Sequence, residues 1–182
     1  MKKLLLFALP LFLFSCKSGV ESHRMAIEEL GTNWDAATTA VTGFSEGLTK
    51  DMTSYTEAAA SMMLDSAATV ALKGDAATKW AEATAAYKTA TTDAYAPVQA
   101  ELNEFVTMWT EKTASVTALK DGLAAGKIEG DIAAQVADLS GLVTQANEKV
   151  TSWTAKQAEL KTAADAAMTA LKTTYEMVAP KK

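Results

Sequence analysis

The chain is poor in the residues that reactive sites most often use. Its 182 residues include one histidine, His23, and one cysteine, Cys16. That argues against the common His/Cys zinc sets, which draw on three or four such ligands. A lone thiol also has no disulfide partner within the chain. Strands need clusters of Val, Ile, Tyr and Phe bounded by turn residues, and none is found. Runs of Lys or Arg are missing too, and the formal net charge is −5. Phosphate binding needs clustered cations, so nucleic acid is a poor partner. The same charge argues against lying flat on an anionic membrane. The stretch Gly122-Leu123-Ala124-Ala125-Gly126-Lys127-Ile128 lacks the spacing of a phosphate loop and the Ser or Thr after its lysine. Adjacent acids such as Glu28 and Glu29 point different ways on a helix and read as a solvated face. His23 reads as a solvated surface residue. No enzyme activity, cofactor or metal is expected.

What is present is alanine and threonine, with only three prolines and nine glycines to interrupt them. Alanine is the best helix former, and Lys, Glu, Gln, Leu and Met support it. The expected fold class is therefore all-α.

The N-terminus has a layout of its own. Met1-Lys2-Lys3 is a short basic start, residues 4–14 are apolar apart from Pro10, and the small Ser15 precedes Cys16. These are the three parts of a secretory signal, too short to span a bilayer. Leu13-Phe14-Ser15-Cys16 resembles the lipobox of bacterial lipoproteins, departing from it at Phe14, where a smaller residue is commoner. The resemblance covers the first sixteen residues. It implies that residues 1–15 are removed and that the Cys16 thiol, then the new amine, carry acyl chains. Two or more chains hold a protein stably on a membrane where one holds it marginally. The alternative is a plainly secreted chain with an unmodified thiol. Lys17 stands where, in some families, an Asp retains lipoproteins in the inner membrane, so the outer membrane is expected, on its periplasmic or surface face. Cleavage takes Lys2 and Lys3 and no acid, two positive charges from −5, leaving about −7. Residues 16–21 read as a lipidated tether.

Three helical stretches are expected in the bundle region 22–182, over about 22–72, 75–121 and 131–179. The first carries Ile27, Leu30, Trp34, Ala37, Val41, Phe44 and Leu48 at spacings of three and four, continuing through Met52, Tyr55, Ala59 and Met62. Ser22 reads as its N-cap, and Met62-Met63 as core filler. Lys73-Gly74-Asp75 reads as a tight turn, with Asp75 capping the second stretch. That stretch carries Trp80, Ala83, Tyr87, Ala90, Ala94, Val98, Leu102, Phe105, Trp109, Val116 and Leu119. Its spacing slips near Pro97, which predicts a kink. Gly122 to Gly130 reads as the second loop and Asp131 as the cap of the third stretch. That seam runs from Val136 through Leu139, Val143, Ala146, Val150, Trp153, Leu160, Ala164, Ala167 and Leu171 to Val178, with Gln157 as a polar exception. Helices this long are unstable alone, so the seams must meet, and short loops make neighbours antiparallel. The expectation is an elongated antiparallel three-helix bundle or coiled coil. An oligomer sharing seams between chains is the runner-up. In the bundle, Cys16 and the second loop share one end.

All four tryptophans, Trp34, Trp80, Trp109 and Trp153, fall on seams and read first as core. The turn at Gly74 puts Trp34 level with Trp109, and small alanines beside them mark a candidate groove for an apolar ligand. Thr151, Thr162 and Thr173 recur every eleven residues, a row that resembles one type of antifreeze protein. Asp65-Ser66-Ala67 is similar to a bacterial O-glycosylation tripeptide. The lipobox, the heptad helix and the terminal Lys182 together resemble the plan of the murein lipoprotein, which is joined to peptidoglycan through its last lysine. Pro180 and three helical stretches depart from it. The functional expectation is a lipid-anchored, non-enzymatic spacer or interaction module that contacts envelope proteins or peptidoglycan. The alternative is a binding protein for a small apolar ligand.

Overall fold

A computed structural model describes residues 17–179. The described residues are helical with no strand: α1 Lys17–Glu21, α2 Arg24–Ser61, α3 Ser66–Ala71, α4 Asp75–Lys88, a π-helical turn Thr89–Asp93, α5 Ala96–Ala125 and α6 Ile132–Val178. The all-α class is as the composition predicts. Cys16, the signal-like segment and Lys182 lie outside the described residues.

Several boundaries differ from those expected, each for a local reason. Residues 17–21, expected as a tether, form α1, and its Val20 is only 8% exposed. Ser22 does not cap α2: its hydroxyl donates to the Gly19 carbonyl at 2.8 Å. The first long helix does not reach residue 72. It ends at Ser61, and the chain restarts at Asp65, whose carboxylate accepts from the Ala68 N–H at 2.7 Å. An Asp followed three residues later by a free N–H is an N-cap, and it competes with continuing the helix. The second turn works otherwise than expected: Gly74, at φ 56°, is the N-cap of α4, and Asp75 is its first helical residue. An acid there still favours the positive end of the helix.

The chain near Pro97 is interrupted rather than simply kinked. Proline has no N–H, and its ring clashes with the carbonyl four residues back, here that of Asp93. The preceding helix closes with a wider turn, in which the Ala94 N–H reaches the Thr89 carbonyl five residues back at 3.0 Å. Pro97 then falls in the first turn of α5, where no intrahelical donor is needed. The extra residue rotates the buried face. Thr91 and Tyr95 point inward in place of Ala90 and Ala94.

α5 runs past the expected 121 to Ala125 and ends in a Schellman motif. The Gly126 N–H bonds the Leu123 carbonyl at 3.2 Å, and the Lys127 N–H bonds that of Gly122 at 2.9 Å. Gly126 takes the left-handed conformation, φ 70°, that this motif requires. Gly122 is needed for space: a Cβ there would lie 2.6 Å from Ile128 Cγ1 and 2.8 Å from the Lys127 carbonyl oxygen. Asp131 does cap α6, accepting from the Ala134 N–H at 3.1 Å.

The chain divides into two compact units. Of the described residues, the first comprises 17–37 with Trp109–Gln145. In it α2 and α5 run antiparallel: Trp34 meets Trp109 and Thr113, while Gly31, earlier on α2, lies beside the Lys120 side chain, later on α5. Ile27, Leu30, Trp34, Val116, Leu119, Leu123, Leu139 and Val143 form its buried side. The second unit comprises, of the described residues, Thr38–Met108 with 146–179. There α6 runs parallel to α2, with Trp153 against Phe44, Gln157 on Asp51 and Asp165 on Tyr55. It runs antiparallel to α4 and α5, with Tyr175 near Trp80 and Lys149 on Glu101. Most seam residues are thus buried in both units, while Trp80, Val136, Val150 and Val178 are only partly so. Met62 is buried, but Met63, expected to join it, is 73% exposed.

Candidate functional site

Trp34 and Trp109 are brought together as their seam positions predict. Their rings stack 3.7 Å apart at 8° and are nearly fully buried. The Trp34 indole N–H donates to Thr113 Oγ1 at 3.2 Å, and that hydroxyl donates to the Trp109 carbonyl at 3.0 Å. Each ring therefore occupies the other's face. A ligand between them would have to part a stacked pair worth about 0.5–1.5 kcal/mol beyond its buried area. This is packing geometry rather than an open groove.

His23 is half-buried and lines a hollow with Val20, Gly126, Lys127 and Ile128. It is not the freely solvated residue expected. Arg24 forms a two-toothed pair with Glu21, at 2.6 and 2.9 Å, and reaches Glu28 at 3.2 Å. Glu28 is thus a partner in an ion pair. The threonine row is exposed on α6, but Thr151, Thr162 and Thr173 each donate their hydroxyl to the carbonyl four residues back. Asp65 of the glycosylation-like tripeptide is occupied as the α3 cap.

The sequence pattern did not reveal a polar cluster within the second unit. The Tyr55 hydroxyl donates to Asp165 Oδ1 at 2.8 Å, and Lys161 Nζ lies 3.2 Å from Oδ2 of the same carboxylate. The Tyr55 hydrogen bond, then Lys161, holds the Asp165 carboxyl below the usual range. Burial, then Asp165, pushes the Tyr55 phenol well up. Tyr87 donates to the Tyr55 carbonyl at 2.5 Å. Gln157 donates to Asp51 at 2.7 Å, which explains the polar exception in the α6 seam. Tyr95 is fully buried, and its hydroxyl has no hydrogen-bond partner. Burial beside the Tyr55 phenol pushes its pKa far up. Nearby, Lys149 sits over the Phe105 and Trp153 rings and bonds Glu101. That bond, then one from Trp153, holds the Glu101 carboxyl low.

Beside this cluster a cleft of about 420 Å³ opens between the last turns of α2 and the π-helical turn. Met52, Tyr55, Ala59, Ala60, Met63 and Tyr87 form most of its wall, with Thr56, Thr91, Thr92 and Lys88 as the polar positions. Its origin is traceable. The π turn displaces Thr91 and Thr92 from a regular helical path, α2 stops at Ser61, and small Ala59 and Ala60 leave room. π-Helical insertions are often found at functional sites. The available sequence signal was the slip in spacing before Pro97. Among the described residues no group of three or more His, Cys, Asp or Glu side chains could hold a metal ion. No described helix is long and apolar enough to cross a membrane. No protein-family model, curated protein or solved structure matches the chain.

Proposed function

We propose that this chain is a lipid-anchored helical protein of the bacterial envelope. It acts by contact, as a spacer or as a docking module for envelope proteins or peptidoglycan. Its finer architecture is an antiparallel three-helix bundle, built from α2, α4 with α5, and α6. The helix directions within each unit support this.

One observation carries the reading. Cys16, at the end of the lipobox-like stretch, directly precedes α1, and α1 is not loose. Val20 is buried, and Val20 and His23 face the loop at 126–132. An acyl anchor on Cys16 would therefore join the folded first unit without slack. Such a linkage suits a protein whose task is to hold a surface at a set distance from a membrane. The scarcity of His and Cys supports action by contact rather than turnover.

The test is metabolic labelling with an acyl-chain analogue in native cells, paired with cross-linking and mass spectrometry of captured material. Label on the natural chain, lost in Cys16→Ser, is expected, together with a reproducible envelope-protein or peptidoglycan adduct. Absence of label would overturn the anchor. Label without any adduct would overturn the docking role while leaving the anchor intact.

A further inference from the structure

We propose that the cleft beside the π-helical turn binds a single-chain amphiphile with an anionic head. The walls decide the body of the ligand. Two methionines, two alanines and the rings of Tyr55 and Tyr87 offer an apolar, adaptable surface of the kind an alkyl chain fills. The hydrogen-bond accounting decides the head. Thr56 and Thr91 donate their hydroxyls to the Met52 and Tyr87 carbonyls, at 2.9 and 2.7 Å. The Tyr87 hydroxyl is committed to the Tyr55 carbonyl. These three hydroxyls keep their protons for the protein. Lys88 differs. Its ammonium carries three donors and makes a 2.6 Å bond to Asp93 Oδ1, leaving protons for a second acceptor. A cation at one edge of an apolar cleft complements an acid head followed by a hydrocarbon tail.

The site has room to admit such a ligand. Its cavity lies within the range of small-molecule sites. Met63, at the rim, is 73% exposed. It is a long unbranched side chain that can close over a tail. Further along the chain, α3 buries none of its residues, and Val70 on it is 80% exposed.

Isothermal titration of the full chain with decanoate, decanol and decylamine, each below its micelle concentration, tests this. Decanoate should bind most tightly and decylamine least. Lys88→Ala should weaken decanoate about tenfold, in line with one charge-assisted hydrogen bond, and leave decanol nearly unchanged. Ala60→Trp should abolish binding by filling the cleft. Should that variant fail to fold, Met63→Asp at the exposed rim should repel decanoate and spare decanol. The proposal is overturned if none of the three binds, or if decylamine matches decanoate. Binding that survives both Ala60→Trp and Met63→Asp would equally overturn it, since the ligand would then sit elsewhere.

Discussion

Single side chains differ sharply in what they contribute. Trp34 is stacked, hydrogen-bonded and 2% exposed. Its replacement by alanine should cost about 3–5 kcal/mol, the usual penalty for emptying a large aromatic site, read as a lower midpoint in chemical denaturation. Tyr95 is the opposite case. Its ring is buried, but its hydroxyl has no partner; the neighbouring Tyr55 hydroxyl is committed to Asp165. An unpaired buried hydroxyl costs about 1–3 kcal/mol, so Tyr95→Phe should raise stability by about 1 kcal/mol. A loss instead would mean the hydroxyl has a partner. Tyr55→Phe should lower stability by about 1 kcal/mol at neutral pH, with a pH signature. The Asp165 carboxyl is held low by Tyr55. Its contribution is therefore present above the unfolded value, about 3.9, and is lost as pH falls through the folded one. The gap between the natural chain and Tyr55→Phe should be widest near neutrality and should narrow below about pH 4. The Asp165 side chain is 55% exposed, so salt should shrink the effect.

Among the elements, the glycines separate into two kinds, and substitution distinguishes them. Gly122→Ala drives a Cβ into the Lys127 backbone, and Gly126→Ala forces a side chain to positive φ. Each should destabilise, Gly126→Ala by about 1–2 kcal/mol. Gly141, inside α6, has nothing within 4 Å of an added Cβ, so Gly141→Ala should stabilise by about 0.5–1 kcal/mol. A melting series on the three variants checks the ordering. The same elements show what was legible in the sequence. Seam positions such as Ile27, Trp34, Leu102 and Trp153 were readable because a three–four spacing reports burial directly. The α6 cap was readable because Asp131 stands before a regular seam. The Asp65 cap was overlooked because the alanines around it fit a helix equally well, and local hydrogen bonding decided between them. Thr91 and Tyr95 were missed because a regular seam assumes an unbroken 3.6-residue period, and the π turn changes which side chains point inward between Tyr87 and Val98. The cleft depends on that shift, so it was illegible too. The level of Trp34 and Trp109 was readable from the turn, but stacking was not, because spacing fixes height along a helix and not ring orientation.

For the molecule as a whole, the question is whether the proposed anchor at Cys16 and the fold behave as one body. A tether of free residues would let the domain swing, and nothing done to Val20 would then matter. In this structure Val20 is buried, and the His23 N–H bonds its carbonyl at 3.0 Å, closing the turn from α1 into α2. Placing a carboxylate at Val20 strands a charge in an apolar contact, which is costly unless the segment detaches. Val20→Asp should therefore stay in the membrane fraction if Cys16 carries lipid, while proteases cut the 22–23 turn much faster than in the natural chain. Cys16→Ser should do the reverse, leaving the membrane fraction with proteolysis at that turn unchanged. If Val20→Asp is cut no faster, α1 is not held against the first unit. The spacer reading then loses its mechanical basis even with the anchor in place, because a surface hung on slack chain cannot set a distance.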